Sequence, residues 1–102
     1  DPKVVGNTVL FLEKGSLVAL SVSDGSQRYV LRGVAGMPAV VDGTMYVPYT
    51  DGSLRGIDPA SGRVLRRLSL PGTPAGGAVE TGERLAVGLD DGRVVIVHPA
   101  GM

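Results

Sequence analysis

"DGTMYVPYTDGSLRGIDP" (42–59) recurs in altered form on either side of itself, and that recurrence decides the fold. Downstream, "GERLAVGLDDGRVVIVHP" (82–99) matches it at an offset of 40, so that Asp91-Gly92 falls on Asp51-Gly52 and Pro99 on Pro59. Upstream, "GNTVLFLEKGSLVALSVSDG" (6–25) fits at an offset of 36 to 37, placing Lys14-Gly15 on Asp51-Gly52 and Asp24-Gly25 on Ser61-Gly62. The short segments "PKVV" (2–5), "PAVV" (38–41) and "GGAV" (76–79) each stand just before a copy. A period of 36 to 40 residues is that of one supersecondary unit in a solenoid or propeller.

Within each copy the apolar runs are four to seven residues long, rich in Val and Leu and bounded by glycine turns, which predicts strands joined by hairpins. Eleven strands are expected, near 3–5, 8–13, 16–22, 27–32, 38–41, 44–49, 53–58, 63–69, 77–80, 84–89 and 93–98. The pairs Lys14-Gly15, Asp51-Gly52 and Asp91-Gly92 are assigned the positive φ angles of tight hairpins, and Asp24-Gly25 and Ser61-Gly62 the same role one strand later. "LVALSV" (17–22) and "RVVIV" (93–97) are nearly unbroken apolar runs, expected of strands covered on both faces. "QRYVLR" (27–32) and "RVLRRLSL" (63–70) carry arginines suited to an outer edge that resists edge-to-edge pairing. Four-stranded sheets with sandwiched middle strands and a charged last strand are propeller blades. The expected fold class is therefore all-β: about three antiparallel blades over 1–33, 34–71 and 72–102, the last lacking its outer strand, forming part of a β-propeller.

Composition narrows the function classes. The 102 residues allow one small core, and 43% hydrophobic residues with a mean hydropathy of +0.21 exclude a disordered chain. Ten basic and ten acidic residues cancel, removing the long-range attraction that non-specific nucleic-acid or anionic-membrane binding needs. With no cysteine there is no disulfide framework, thiolate nucleophile or thiolate metal site. The apolar runs fall short of the ~18 residues a membrane helix needs, and the chain opens on Asp-Pro-Lys rather than a basic and apolar leader, so a soluble chain is expected whose export signal has been left off or never existed.

The second copy resembles the repeat of pyrroloquinoline-quinone-type propellers. In that repeat an alanine is followed by an aspartate, a glycine and a docking tryptophan at spacings of two, four and four. Here those positions hold Gly56, Asp58, Gly62 and Arg66; in the first copy they hold Ala19, Ser21, Gly25 and Tyr29. In the third they hold Ile96 and His98, with Met102 on the glycine. The resemblance implies one of two functional branches. Quinoprotein dehydrogenases hold the quinone with a stacking tryptophan, a calcium site of Glu, Asn and Asp, a catalytic aspartate and often a vicinal cysteine pair. Non-catalytic members serve as binding surfaces, as does the propeller lipoprotein of the outer-membrane barrel-assembly machinery. No Trp or Cys is present here to take up the quinone-site roles. The resemblance thus implies a non-catalytic scaffold with protein partners, extracytoplasmic, without catalytic, cofactor or metal residues. Its open ends would be covered by further copies or further blades. The alternatives are a fragment of a quinoprotein-like dehydrogenase whose cofactor residues lie outside this chain, and an excised repeat unit with no activity of its own.

Other site-like residues read as structural. Asp51, Asp58, Asp90 and Asp91 are the one candidate calcium cluster, but "TDGS" and "DDGR" do not supply the alternating oxygens of a calcium loop, and Asp beside Gly suits a side chain bonding its own turn. His98, the single histidine, is expected to bond a nearby turn. Strand alternation puts Arg63 and Arg67 on one face and Arg66 on the other, which divides the charge, and Tyr29, Tyr46 and Tyr49 are not interleaved with them as a nucleic-acid surface requires. "PGTPAGG" (71–77) lacks the Lys-Ser/Thr ending and following helix of a phosphate loop and is expected to be a connection between blades.

Overall fold

The computed structural model describes residues 2–102. Three antiparallel sheets follow one another in chain order. The first contains β1 (Lys3–Val5), β2 (Thr8–Glu13), β3 (Ser16–Ser21) and β4 (Gln27–Arg32); the second β5 (Ala39–Val41), β6 (Thr44–Pro48), β7 (Ser53–Ile57) and β8 (Val64–Ser69). The third has β9 (Pro74–Thr81), β10 (Arg84–Leu89) and β11 (Val94–Val97), after which Pro99–Gly101 form a short 3-10 turn. Each sheet is a meander of sequential neighbours, so each repeat is one blade. No helix among the described residues is long and apolar enough to cross a membrane.

The hairpins explain the spacing of the glycines. Lys14 and Gly15 both have positive φ, 49° and 79°, and close a two-residue turn between Glu13 and Ser16. Asp51-Gly52 is built differently from the two positive angles expected of it, because only Gly52 is left-handed (φ 88°). The Gly52 amide donates to Tyr49 O and the Tyr49 amide to Ser53 O, a three-residue loop in which a turn is followed by one left-handed glycine. Asp91-Gly92 repeats this with Leu89 and Arg93. At Asp24-Gly25 and Ser61-Gly62 the loops are one residue longer, with the Gly25 and Gly62 amides donating to Ser21 O and Asp58 O.

Blades stack through two cores. The first joins Leu10, Leu17 and Ala19 of blade 1 to Met45, Val47 and Ile57 of blade 2. The second joins Ala39, Tyr46 and Leu54 of blade 2 to Leu85, Val87 and Val97 of blade 3. Blade 2 is thus covered on both faces, and the alternation along β7 sends Leu54 one way and Ile57 the other. Backbone bonds across the junctions recur with the repeat: Thr50 N donates to Gly33 O (2.8 Å) and, forty residues on, Asp90 N to Thr73 O (2.9 Å). Beneath the strands nearest one another, Gly36 and Gly77 bring two backbones into direct contact, with Ala78 N donating to Met37 O at 3.0 Å.

Two expectations are corrected. Neither "RVVIV" nor "LVALSV" is covered on both faces: Val94 and Ile96 are 65% and 52% exposed and Val22 is 50% exposed, because among the described residues no sheet packs beyond blade 3 or on the far face of blade 1. "PGTPAGG" is largely strand rather than connection, because β9 begins at Pro74, pairs past a bulge with Leu89, and lays Gly77 against Met37 where a side chain has no room.

Candidate functional site

The aspartates come first, since they are the chain's candidate ligands. The Asp51 carboxylate accepts from the Ser53 amide (2.9 Å) and hydroxyl (2.6 Å) and from the Arg55 guanidinium (2.9 Å). These bonds, the Ser53 hydroxyl foremost, hold its pKa below the usual carboxylate range. Asp24 accepts from the Ser26 amide and hydroxyl, and Asp91 from the Arg93 amide and Nε, with the same downward direction for each. Asp58 accepts from the Ala60 amide and the Ser61 hydroxyl. Each carboxylate is therefore engaged by its own turn. Among the described residues no three His, Cys, Asp or Glu side chains group as metal ligands. Asp90, the remaining member of the candidate cluster, is held by its backbone amide to Thr73 O at the junction between blades.

The positions that resemble the tryptophan-docking repeat are brought together as clasps between blades. Tyr29, in β4, donates its hydroxyl to Pro59 O of the next blade at 2.6 Å. Its ring lies over Gly62, where an added Cβ would stand 2.7 Å from Tyr29 Cγ. Arg66, in β8, makes the corresponding bond to Pro99 O at 2.8 Å, and its stem crosses Gly56, where a Cβ would stand 2.9 Å from Arg66 Cγ. Tyr29 and Arg66 are paired with Ala19 and Gly56, the small residues of the motif. A bulge opposite Ala19/Leu20 and opposite Gly56/Ile57 precedes each clasp in the outer strand and turns it toward the neighbouring blade. Arg66 is thus more than a solvated edge charge: of the three arginines, it alone spans to blade 3, while Arg67 reaches Asp51 at 3.4 Å.

Tyr29 yields a prediction. Burial first, and the charge of Asp58 second, push its pKa up to about 12. A folded pKa above the unfolded value of about 10 means that the neutral phenol is favoured by folding; its contribution is intact below pH ~10 and lost as pH rises through the folded value. Tyr29→Phe is expected to cost about 1 kcal/mol at neutral pH through the lost bond to Pro59 O, and to flatten the alkaline loss. Urea midpoints of both proteins between about pH 8 and pH 12 measure it. Tyr49, also raised by burial, retains the remaining alkaline dependence.

Clefts of about 520 Å³ and 310 Å³ flank the two clasps at equivalent places. The larger is lined by Arg66 and Arg84 together with Asp42 and Glu83, so its charge is mixed. His98 faces this cleft and caps no turn with its side chain, contrary to the bond expected of it; its own place in the repeat, held by Asp58 in blade 2, is followed here by the Pro99–Gly101 turn instead of a hairpin loop. The sequence reading missed Gly36 and Gly77, whose only signal was that neither precedes a turn, and the Lys3–Glu80 ion pair (3.2 Å) that links the innermost strands of blades 1 and 3.

A family profile described as outer membrane protein assembly factor BamB matches residues 1–101. Among solved structures, BamB from Moraxella catarrhalis superposes with a TM-score of 0.75 at 12% identity, over 96% of this chain and 31% of its own. A europium-containing methanol dehydrogenase superposes with 0.73 at 17% identity, over 95% and 22%. The WD40 repeats of RRP9 give 0.78 at 14% identity, over 98% and 35%. At these identities the likeness shows the fold, a β-propeller, and the chain spans at most 35% of the length of these structures. No curated protein matches the chain in sequence.

Proposed function

Because the chain belongs to the family of the outer membrane protein assembly factor BamB, we propose that it is a non-catalytic propeller module that binds protein as an assembly scaffold outside the cytoplasm. One observation carries the reading. The carboxylates of Asp24, Asp51, Asp58 and Asp91 and the side chains of Tyr29 and Arg66 are engaged by turns and clasps, whereas among the described residues Val4, Val79, Val94 and Ile96 stand exposed on blade faces and β11 has no partner on its outer edge. Strand edges and apolar patches of this kind are interaction surfaces rather than reaction centres. The family description, an assembly factor, is of the same kind.

The second reading is a piece of a quinoprotein-like enzyme, favoured by the likeness to methanol dehydrogenase. The residues here do not fit a quinone: no tryptophan is available to stack on it, and the aspartates that would hold its cation are bonded within their own turns. Titrating the chain with pyrroloquinoline quinone and calcium separates the readings. The expected outcome is an unchanged cofactor spectrum and no dye-linked oxidation of alcohols; a saturable spectral shift with turnover supports the enzyme.

A further inference from the structure

Aspartate precedes glycine four times in the chain, at Asp24-Gly25, Asp42-Gly43, Asp51-Gly52 and Asp91-Gly92. Such a pair is open to one reaction, attack of the glycine nitrogen on the carboxyl before it, because glycine has no side chain to shield its amide. At three of the four the fold holds both reacting groups. The Asp24, Asp51 and Asp91 carboxylates accept from the amides two residues on, those of Ser26, Ser53 and Arg93. The Gly25, Gly52 and Gly92 amides donate to Ser21 O (2.9 Å), Tyr49 O (3.0 Å) and Leu89 O (3.0 Å). Hydrogen bonds also keep these carboxyls ionised, the largest lowering coming from the Ser26 amide at Asp24, the Ser53 hydroxyl at Asp51 and the Arg93 amide at Asp91. An ionised carboxylate has no hydroxyl to lose.

Asp42-Gly43 has neither restraint. With φ of 50° and 78°, the two are the central residues of the tight hairpin between β5 and β6, in which Val41 pairs with Thr44. Among the described residues the Asp42 carboxylate accepts no hydrogen bond and joins no ion pair, and the Gly43 amide donates to no carbonyl. Both residues are exposed, and a Cβ added at Gly43 would meet nothing within 4 Å. Asp42 is moreover, with Lys14, one of two non-glycine residues at positive φ among those described, a conformation that strains an L-residue. The turns at the same place in the other blades are Gly6-Asn7 and Gly82-Glu83, in which no aspartate precedes a glycine.

We infer that Asp42-Gly43 is the site at which the folded chain isomerises to isoaspartate, with water as the only co-reactant. The Gly43 nitrogen attacks Asp42 Cγ. As the N–Cγ bond forms the Cγ–OH bond breaks, and the hydroxyl leaves with the amide proton as water, closing a cyclic imide. Water then opens the ring. Addition at Cγ restores aspartate, whereas addition at the Asp42 main-chain carbonyl carbon leaves Gly43 joined through Cγ, with one more methylene in the backbone and a free α-carboxylate. A two-residue hairpin has no slack for that methylene. The turn is flanked by Val41 and Tyr46 of the second core and walls the cleft that Arg66, Arg84 and His98 line, so isomerisation alters that cleft. The inference does not depend on what the chain binds.

Incubating the folded chain near neutral pH in water enriched in heavy oxygen tests it, because each ring opening leaves a heavy oxygen on the residue that cyclised. Chymotryptic cleavage after Tyr46 or Tyr49 separates Asp42 from Asp51, and fragmentation of the peptides locates label and isoaspartate. At the other three sites two hydrogen bonds must break before reaction, so Asp42 is expected to gain both roughly 10- to 100-fold faster than Asp24, Asp51 or Asp91. In strong urea the four rates are expected to converge. Asp42→Gly, which suits positive φ, is expected to abolish isoaspartate in the folded chain while leaving its circular dichroism that of the parent. Label appearing first at another of the four aspartates overturns the inference. So do four equal rates in the folded chain, or no isoaspartate at Asp42 over a time in which the unfolded chain converts measurably.

Discussion

Alanine at Gly36 or Gly77 will deprive the chain of its folded state, while alanine at Gly76, the adjacent glycine, will be tolerated. A Cβ on Gly77 would stand 2.5 Å from Met37 O and 2.8 Å from Met37 N; one on Gly36 would meet the backbone of Gly76 and Gly77, its contact with the Gly76 carbonyl carbon at 2.6 Å. The obstacles are backbone atoms, those of β9 on one side and of the segment leading into β5 on the other, not the ends of flexible side chains. Relief requires blades 2 and 3 to separate at their closest point, breaking the Ala78 N to Met37 O bond and loosening the second core with it. Overpacking ordinarily costs 1–3 kcal/mol and more where nothing can yield, and we expect a loss of more than about 4 kcal/mol here. A small domain has a total stability of roughly 5–15 kcal/mol, so the effect is close to all of it. At Gly76 an added Cβ meets nothing within 4 Å, and φ is not left-handed. Thermal melts of Gly36→Ala, Gly77→Ala and Gly76→Ala decide the matter; a Gly77→Ala protein that melts with the parent would falsify the backbone contact.

Leu17→Ala and Leu54→Ala are expected to destabilise by about 3 kcal/mol each, within the 2–5 kcal/mol usual for a buried leucine. Both side chains are fully buried, and they hold equivalent repeat positions, Leu17 in the core between blades 1 and 2 and Leu54 in the core between blades 2 and 3. Equivalent surroundings predict similar losses. Because the two cores share no partner in these side chains, the double variant is expected to lose nearly the sum, to within roughly half a kcal/mol. Leu65→Ala, at a half-exposed position of the outer strand β8, serves as the control with an expected change within about 0.5 kcal/mol. Urea denaturation provides the comparison, and a Leu54→Ala midpoint equal to that of Leu65→Ala contradicts the assignment of the second core.

Much of this architecture was legible before any coordinates. Glycine-bounded apolar runs of fixed length mark strands because hairpin geometry is local: Gly15, Gly25, Gly52, Gly62 and Gly92 each take positive φ in a turn that involves only three to five neighbouring residues. The interval between repeats is likewise a local quantity summed along the chain. The same reasoning reached the turn bonds of the aspartates, which run to residues two or three positions away, but not the reach of Arg55 and Arg67 to Asp51. It also located Tyr29 and Arg66, through the spacing they share with the docking repeat, but not what they would bond.

What remained depended on neighbours distant in sequence. An apolar strand carries the same letters whether or not a sheet covers it, so "RVVIV" and "LVALSV" both read as covered on two faces, whereas among the described residues each has a neighbouring sheet on one face only. Gly36 and Gly77 have no turn to announce them, and their necessity appears only where two backbones forty residues apart touch. By itself the sequence determined the strands, the hairpins, the three repeats and the turn role of the aspartates, since these are set by short-range sterics and hydrogen bonding. Only the tertiary structure decided that Tyr29 and Arg66 clasp the next blade, that His98 opens onto a cleft, and that blade 2 contributes one face to each of two cores, because burial and long-range contact are properties of the packed sheets and not of any one strand.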